Sequence, residues 1–135
     1  MKIFRRCITG VFGLIAAAQL ACPAAAFDLN GAWTTDLSAC NKVFRKKGKR
    51  VTLTSLADLY GGGFIIEGNR VRGKIVRCRI ESRKEDGSTI HLNVACTTEI
   101  ATEQIAFDLK VVNDNTVSKT FAGTDVAMDY HRCPL

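Results

Sequence analysis

The chain has 135 residues, with 19 Lys and Arg against 13 Asp and Glu and a formal net charge of +6. That length is enough for one small domain with one core. A mean hydropathy of +0.05 is inflated by the first residues and does not read as membrane character.

The N-terminus, MKIFRRCITGVFGLIAAAQLACPAAA, sets three bases (Lys2, Arg5, Arg6) and no acid before an apolar run from Ile8 to Ala21. The run ends on small residues, with Ala24-Ala25-Ala26 in the A-x-A pattern. This reads as a secretory signal peptide over residues 1–26; nothing apolar follows to extend the run into a membrane span. Gln19-Leu20-Ala21-Cys22 resembles a bacterial lipobox, which implies a diacyl chain on Cys22. Gln19 stands where that motif favours an aliphatic residue, so simple cleavage after Ala26 is the preferred route, and it removes Cys7 and Cys22. The mature chain, residues 27–135, is then a single domain with 16 bases against 13 acids, a net charge of +3.

Cys40, Cys78, Cys96 and Cys133 remain. An even number in a small exported domain reads as a disulfide framework. A zinc site competes poorly, because no pair has the C-x-x-C spacing. The expected localisation is periplasmic or secreted.

Alternation of apolar and polar residues dominates the mature chain and predicts a mostly β fold. A first strand covers about Asn30 to Thr35. One short helix follows over Leu37 to Lys47, capped by Asp36, with Leu37, Cys40 and Phe44 on one face and Gly48 as its stop. Arg50 to Thr54 alternates as the second strand, and Ser55 to Gly63 is a loop. Phe64 to Glu67 meets Arg70 onward across a two-residue turn at Gly68-Asn69, placing Ile66 beside Val71 and Phe64 beside Gly73. Val71 and Ile75 share one parity, whereas Val76, Cys78 and Ile80 share the other, so a β-bulge is expected near Ile75-Val76.

Ile90, Leu92, Val94 and Cys96 share an inward parity in the fifth strand. An odd-numbered loop around Asp86-Gly87 sets Cys78 opposite Cys96 and Ile80 opposite Val94, so these two cysteines form one bridge. Cys40 and Cys133 form the other by elimination: Cys40 lies on the apolar face of the helix, and Cys133 points outward from the last strand, where a helix packs. Strands over about Glu103 to Val112, Val117 to Phe121 and Val126 to Cys133 complete the chain, with Ile105, Phe107, Leu109 and Val111 as one inward row. About eight sequential strands with short connections predict a small up-and-down antiparallel barrel, all-β apart from the helix after the first strand. A two-sheet sandwich is the alternative.

Gly31-Ala32-Trp33 resembles the G-x-W element of lipocalins and other calycin barrels, whose tryptophan sits at the closed end of the barrel, often under a late arginine. The resemblance implies that Gly31, Trp33 and Arg132 form such a barrel end here. Lipocalins are longer and carry their helix after the strands, whereas this helix follows the first strand. The mature chain, through Tyr130-His131-Arg132-Cys133-Pro134, is also similar to small exported bacterial proteins of unassigned function.

Catalytic motifs are absent: no G-x-S-x-G, no H-E-x-x-H and no phosphate-cradling loop. His91 faces outward, near Arg83 in the expected register. Asp129 and His131 share a face, and Asp-x-His is a weak metal signal. No cofactor or metal is expected. Gly61-Gly62-Gly63 precedes a strand and reads as a flexible turn.

The bases carry more information. Arg45, Lys46, Lys47, Lys49 and Arg50 crowd the helix end; Arg70, Arg72, Lys74, Arg77 and Arg79 face outward along one strand, and together they create a local positive field. With no aromatic residues interleaved, nucleic acid is an unsuited partner. The expected function is a non-enzymatic binding or interaction domain that docks an anionic envelope lipid, polysaccharide or acidic protein on this face. A lipocalin-like carrier of a small apolar ligand, and a calycin-type protease inhibitor using an exposed end, are the alternatives. Branched aliphatics with Phe64, Phe107 and Phe121 fill the inward positions, and Lys119 is the one polar candidate among them.

Overall fold

The computed structural model describes residues 25–121 and 123–135. The signal-peptide and lipobox readings, with Cys7 and Cys22, lie outside the described residues except at Ala25 and Ala26.

Among the described residues ten strands follow one another: β1 (Gly31–Thr34), β2 (Phe44–Lys47), β3 (Arg50–Leu53), β4 (Gly63–Glu67), β5 (Arg70–Arg72), β6 (Arg77–Asp86), β7 (Thr89–Thr97), β8 (Thr102–Asn113), β9 (Thr116–Phe121) and β10 (Ala127–Arg132). Eight of them close an antiparallel barrel in the order β1-β10-β9-β8-β7-β6-β5-β4, while β2 and β3 form a separate hairpin. Closure removes the exposed edges that an open sheet of this size presents.

Two expectations about the strands are corrected, and their effects on the strand count cancel. The segment from Arg70 to Ile80 is two strands rather than one bulged strand. The chain reverses over Gly73–Val76, and Arg70 faces Arg79, Val71 faces Cys78 and Arg72 faces Arg77. The parity switch at Ile75-Val76 thus marks a turn, closed by Gly73 N–H donating to the Val76 carbonyl at 2.8 Å. Residues 50–53 leave the barrel and pair instead with β2.

The helix is also shorter than expected. Asp36 caps it as predicted, its carboxylate accepting from the Ser38 hydroxyl at 2.7 Å and the Ser38 N–H at 2.8 Å and so held below the usual carboxylate pKa. A 3-10 turn at Leu37–Ala39 leads into α1 (Cys40–Val43), and Phe44 already begins β2. Residues 45–47 have fair helix propensity, but the β-branched Val51 and Thr52 offer them a cross-strand partner, and tertiary pairing overrides propensity. Leu37 stays exposed; the buried side chains here are Ala39, Cys40, Val43 and Phe44.

The barrel strands divide their side chains between two cores. Leu29, Trp33, Ile66, Ile90, Leu92, Val94, Cys96, Leu109 and Val117 fill the inside. Ala32 and Ile65, of opposite parity, face out and pack under α1, Phe44 and Ala57. Gly63 lets β4 approach this second layer, because a Cβ there would lie 2.4 Å from the Trp33 carbonyl and 2.8 Å from Phe44 Cζ. The triple-glycine stretch therefore ends in a tightly packed position rather than a wholly flexible turn.

Both disulfides are present, Cys40–Cys133 and Cys78–Cys96. Cys78 faces Cys96 and Ile80 faces Val94 as predicted. The odd residue that makes this possible is Glu81, bulged out of β6, and the turn itself has two residues, Gly87-Ser88, between Asp86 and Thr89. The same bulge shifts the register beyond it, so His91 faces Lys84 rather than Arg83.

Candidate functional site

One end of the barrel is plugged. Trp33 is fully buried and donates its indole N–H to the Leu29 carbonyl at 2.9 Å. Arg132 lies over it, guanidinium carbon 4.4 Å from the ring centroid, and also 5.8 Å from Phe27. Its Nη2 donates to the Asp28 carbonyl at 2.6 Å and to the Asp114 carbonyl at 3.3 Å, and its Nη1 donates to Asn30. Gly31 stands at φ +137°, and a Cβ there would come within 3.3 Å of Arg132. A side chain at that position would strain the backbone and press on the guanidinium. Gly31, Trp33 and Arg132 thus form one assembly that straps the N-terminal arm across the barrel end.

The bases gather on one side wall in two groups. The β2–β3 hairpin carries Arg45, Lys46, Lys47, Lys49 and Arg50, all exposed. The second group was expected as a row along one strand; it is instead a block across two antiparallel strands, because of the reversal at Gly73–Val76. Arg70 faces Arg79 and Arg72 faces Arg77, with Lys74 in the turn between. Arg72 joins the two groups, donating to the Val51 carbonyl of β3 at 3.1 Å and to Glu67 at 3.1 Å. Lys74 pairs with Asp58 at 2.7 Å. Among the described residues the other eight bases have no ion-pair partner.

The remaining half of the barrel is hollow. A cavity of about 280 Å³ lies between Phe64, Val71, Val76, Ile105, Phe107 and Phe121, with the Cys78–Cys96 bridge in its wall. Lys119 is the one ionisable residue lining it. The inward parity of Lys119 is legible in the sequence; the hollow beside it is not.

The histidines do not converge. His91 Nδ1 lies 2.6 Å from the Asp108 carboxylate on the outer face of β7 and β8, and His131 Nδ1 lies 3.1 Å from Thr116 Oγ1. No third hydrogen-bonding side chain reaches His91 among the described residues. No cluster of three metal-ligating side chains occurs among the described residues. No helix of the described residues is long and apolar enough to cross a membrane. No family model, curated protein or solved structure matches this chain.

Proposed function

We propose that the mature chain is an exported, non-enzymatic binding domain that docks an anionic partner of the cell envelope on its basic side wall. Acidic lipid headgroups fit that chemistry, and so does acidic polysaccharide. The supporting observation is the cross-strand apposition of Arg70 with Arg79 and of Arg72 with Arg77. Like charges directly opposite on an antiparallel pair destabilise the sheet. An anion bound across them relieves that repulsion and gains charge-assisted hydrogen bonds from guanidinium forks suited to phosphate and carboxylate. The exposed hairpin beside them extends the same field. Two disulfides fit an oxidising extracytoplasmic compartment.

The test is binding of the purified mature protein to phosphatidylglycerol vesicles and to an acidic polysaccharide. Affinity is expected to fall as salt rises from about 0.01 M to 0.15 M, over which the Debye length shrinks from about 30 Å to about 8 Å. Replacing Arg77 and Arg79 with glutamine should weaken vesicle binding about thirtyfold, at roughly 1 kcal/mol per base. Replacing Lys84 and Lys110, exposed bases outside the block, is the matched control. Equal losses from both pairs, or no binding at low salt, would remove the basic wall as the docking surface.

A further inference from the structure

Lys119 and the hollow half of the barrel form a second site, independent of the basic wall. Lys119 lies on β9 opposite Leu109 of β8 and Met128 of β10. Leu109 is buried in the barrel core, so Lys119 is held on the inner side. Its ammonium lies 4.6 Å from the Phe107 ring centroid and 4.5 Å from that of Phe121. Among the described residues it makes no hydrogen bond or ion pair, although an ammonium carries three donors. The side chain is half-buried, and its ammonium reaches water at the open mouth of the cavity. Two aromatic faces offset part of the desolvation, and they do so for a cation only. Desolvation holds its pKa below the ordinary lysine value.

The surrounding walls are apolar, and the cavity, about 280 Å³, is nearly twice the ~150 Å³ that suffices for benzene. A medium-length single tail fits such a volume, and a two-chain lipid exceeds it. An anionic group at the head of that tail would replace water at the ammonium with a charge-assisted acceptor. A neutral head would forgo the charge-assisted bond, and a cationic head would be repelled.

We propose that the hollow half of the barrel binds a single-tailed amphiphile with one anionic head, of the medium-chain carboxylate class, with Lys119 as the partner of the carboxylate. The apolar walls supply affinity and Lys119 supplies selectivity for charge.

The experiment is calorimetric titration of the disulfide-intact mature protein with decanoate, decanol and decyltrimethylammonium, below their aggregation limits. Decanoate is expected to bind with one-to-one stoichiometry and at least about tenfold more tightly than decanol. Decyltrimethylammonium is expected to bind most weakly. Lys119→Met should bring decanoate down to the level of decanol while leaving decanol binding in place, which shows that the cavity persists. Glutamine at Arg77 and Arg79 should leave decanoate binding unchanged, separating this site from the basic wall. Absence of decanoate binding would overturn the proposal, as would equal decanoate affinity in the wild type and Lys119→Met. Loss of decanoate binding in the Arg77/Arg79 variant alone would move the anion to the outer surface and overturn it equally.

Discussion

The two halves of the barrel each hold an inward cation resting on two aromatic rings, and the halves differ in everything else. Arg132 rests on Trp33 and Phe27 and donates to three backbone carbonyls, those of Asp28, Asn30 and Asp114. Lys119 rests on Phe107 and Phe121 and donates to none among the described residues. Beneath Arg132 the interior is filled by Trp33, Ile90, Leu92 and Val117, all almost wholly buried, and the open space beside it lies on the outer side against Phe27 and Asp28. Around Lys119 the interior is hollow. A buried polar group that is fully satisfied fixes a structure, whereas one left unpaired costs free energy unless something else completes it. The comparison places Arg132 in the fold and leaves Lys119 to the ligand proposed above.

That contrast can be broken most forcefully at the plugged end. Cys133 follows Arg132 directly, and its N–H donates to the Ala32 carbonyl at 2.8 Å, so the Cys40–Cys133 bridge pins the exit of β10 beside the plug. Replacing both cysteines with alanine should cost about 4 to 5 kcal/mol by the chain-entropy estimate for a loop of this separation, 93 residues. Removing Cys78–Cys96, whose separation is 18, should cost about 3 kcal/mol. Urea denaturation of the two double variants measures both; an inverted order would place the structural weight on the hollow half.

Arg132→Met is the next largest effect. It leaves three carbonyls to water and uncovers Trp33, at an expected cost of about 2 to 3 kcal/mol with a red shift of tryptophan emission. Trp33 is the only tryptophan, so the emission reports this end alone. An unshifted spectrum with unchanged stability would show that the strap is not what closes the barrel.

How much of this could be read from the sequence depends on whether a feature is periodic. The inward row Ile105, Phe107, Leu109, Val111 and the hairpin at Gly68-Asn69 follow from alternation and turn chemistry, and both occur as expected. The Cys78–Cys96 pair follows from the same parity, even though the odd residue lies in the strand at Glu81 and not in the loop, and Cys40–Cys133 follows by elimination. The reversal at Gly73–Val76 was hidden because its tip carries Ile75, 79% exposed, where a turn ordinarily carries polar residues. The hairpin of β2 and β3 was hidden because lysine and arginine favour helix in isolation. Neither the cavity nor the pairing of the arginines across β5 and β6 has a local signature. The first is a difference between barrel width and side-chain volume, and the second follows from the hidden reversal.

The smallest effect carries the opposite sign and tests the contrast most directly. Without ligand, Lys119 is a cost to the fold, because burial disfavours its charged form and depresses its pKa. Lys119→Met should therefore stabilise the empty protein, by no more than about 1 kcal/mol since the ammonium keeps partial access to water. The pH dependence has a definite direction. Below the folded pKa of Lys119 both folded and unfolded chains hold its proton, and the penalty is constant. Between that value and the unfolded value of about 10.4 the folded chain holds fewer protons, so stability rises with pH and the penalty fades. Tyr130, 4.9 Å from Phe64 and with its pKa raised by burial, titrates in the opposite sense across the same alkaline range. It contributes equally to both proteins and cancels in their difference. The stability gap between Lys119→Met and wild type should accordingly be flat near neutral pH and narrow toward pH 10. A gap of the other sign at neutral pH would mean that Lys119 already has its partner in the fold, as Arg132 does, and would erase the difference between the two ends.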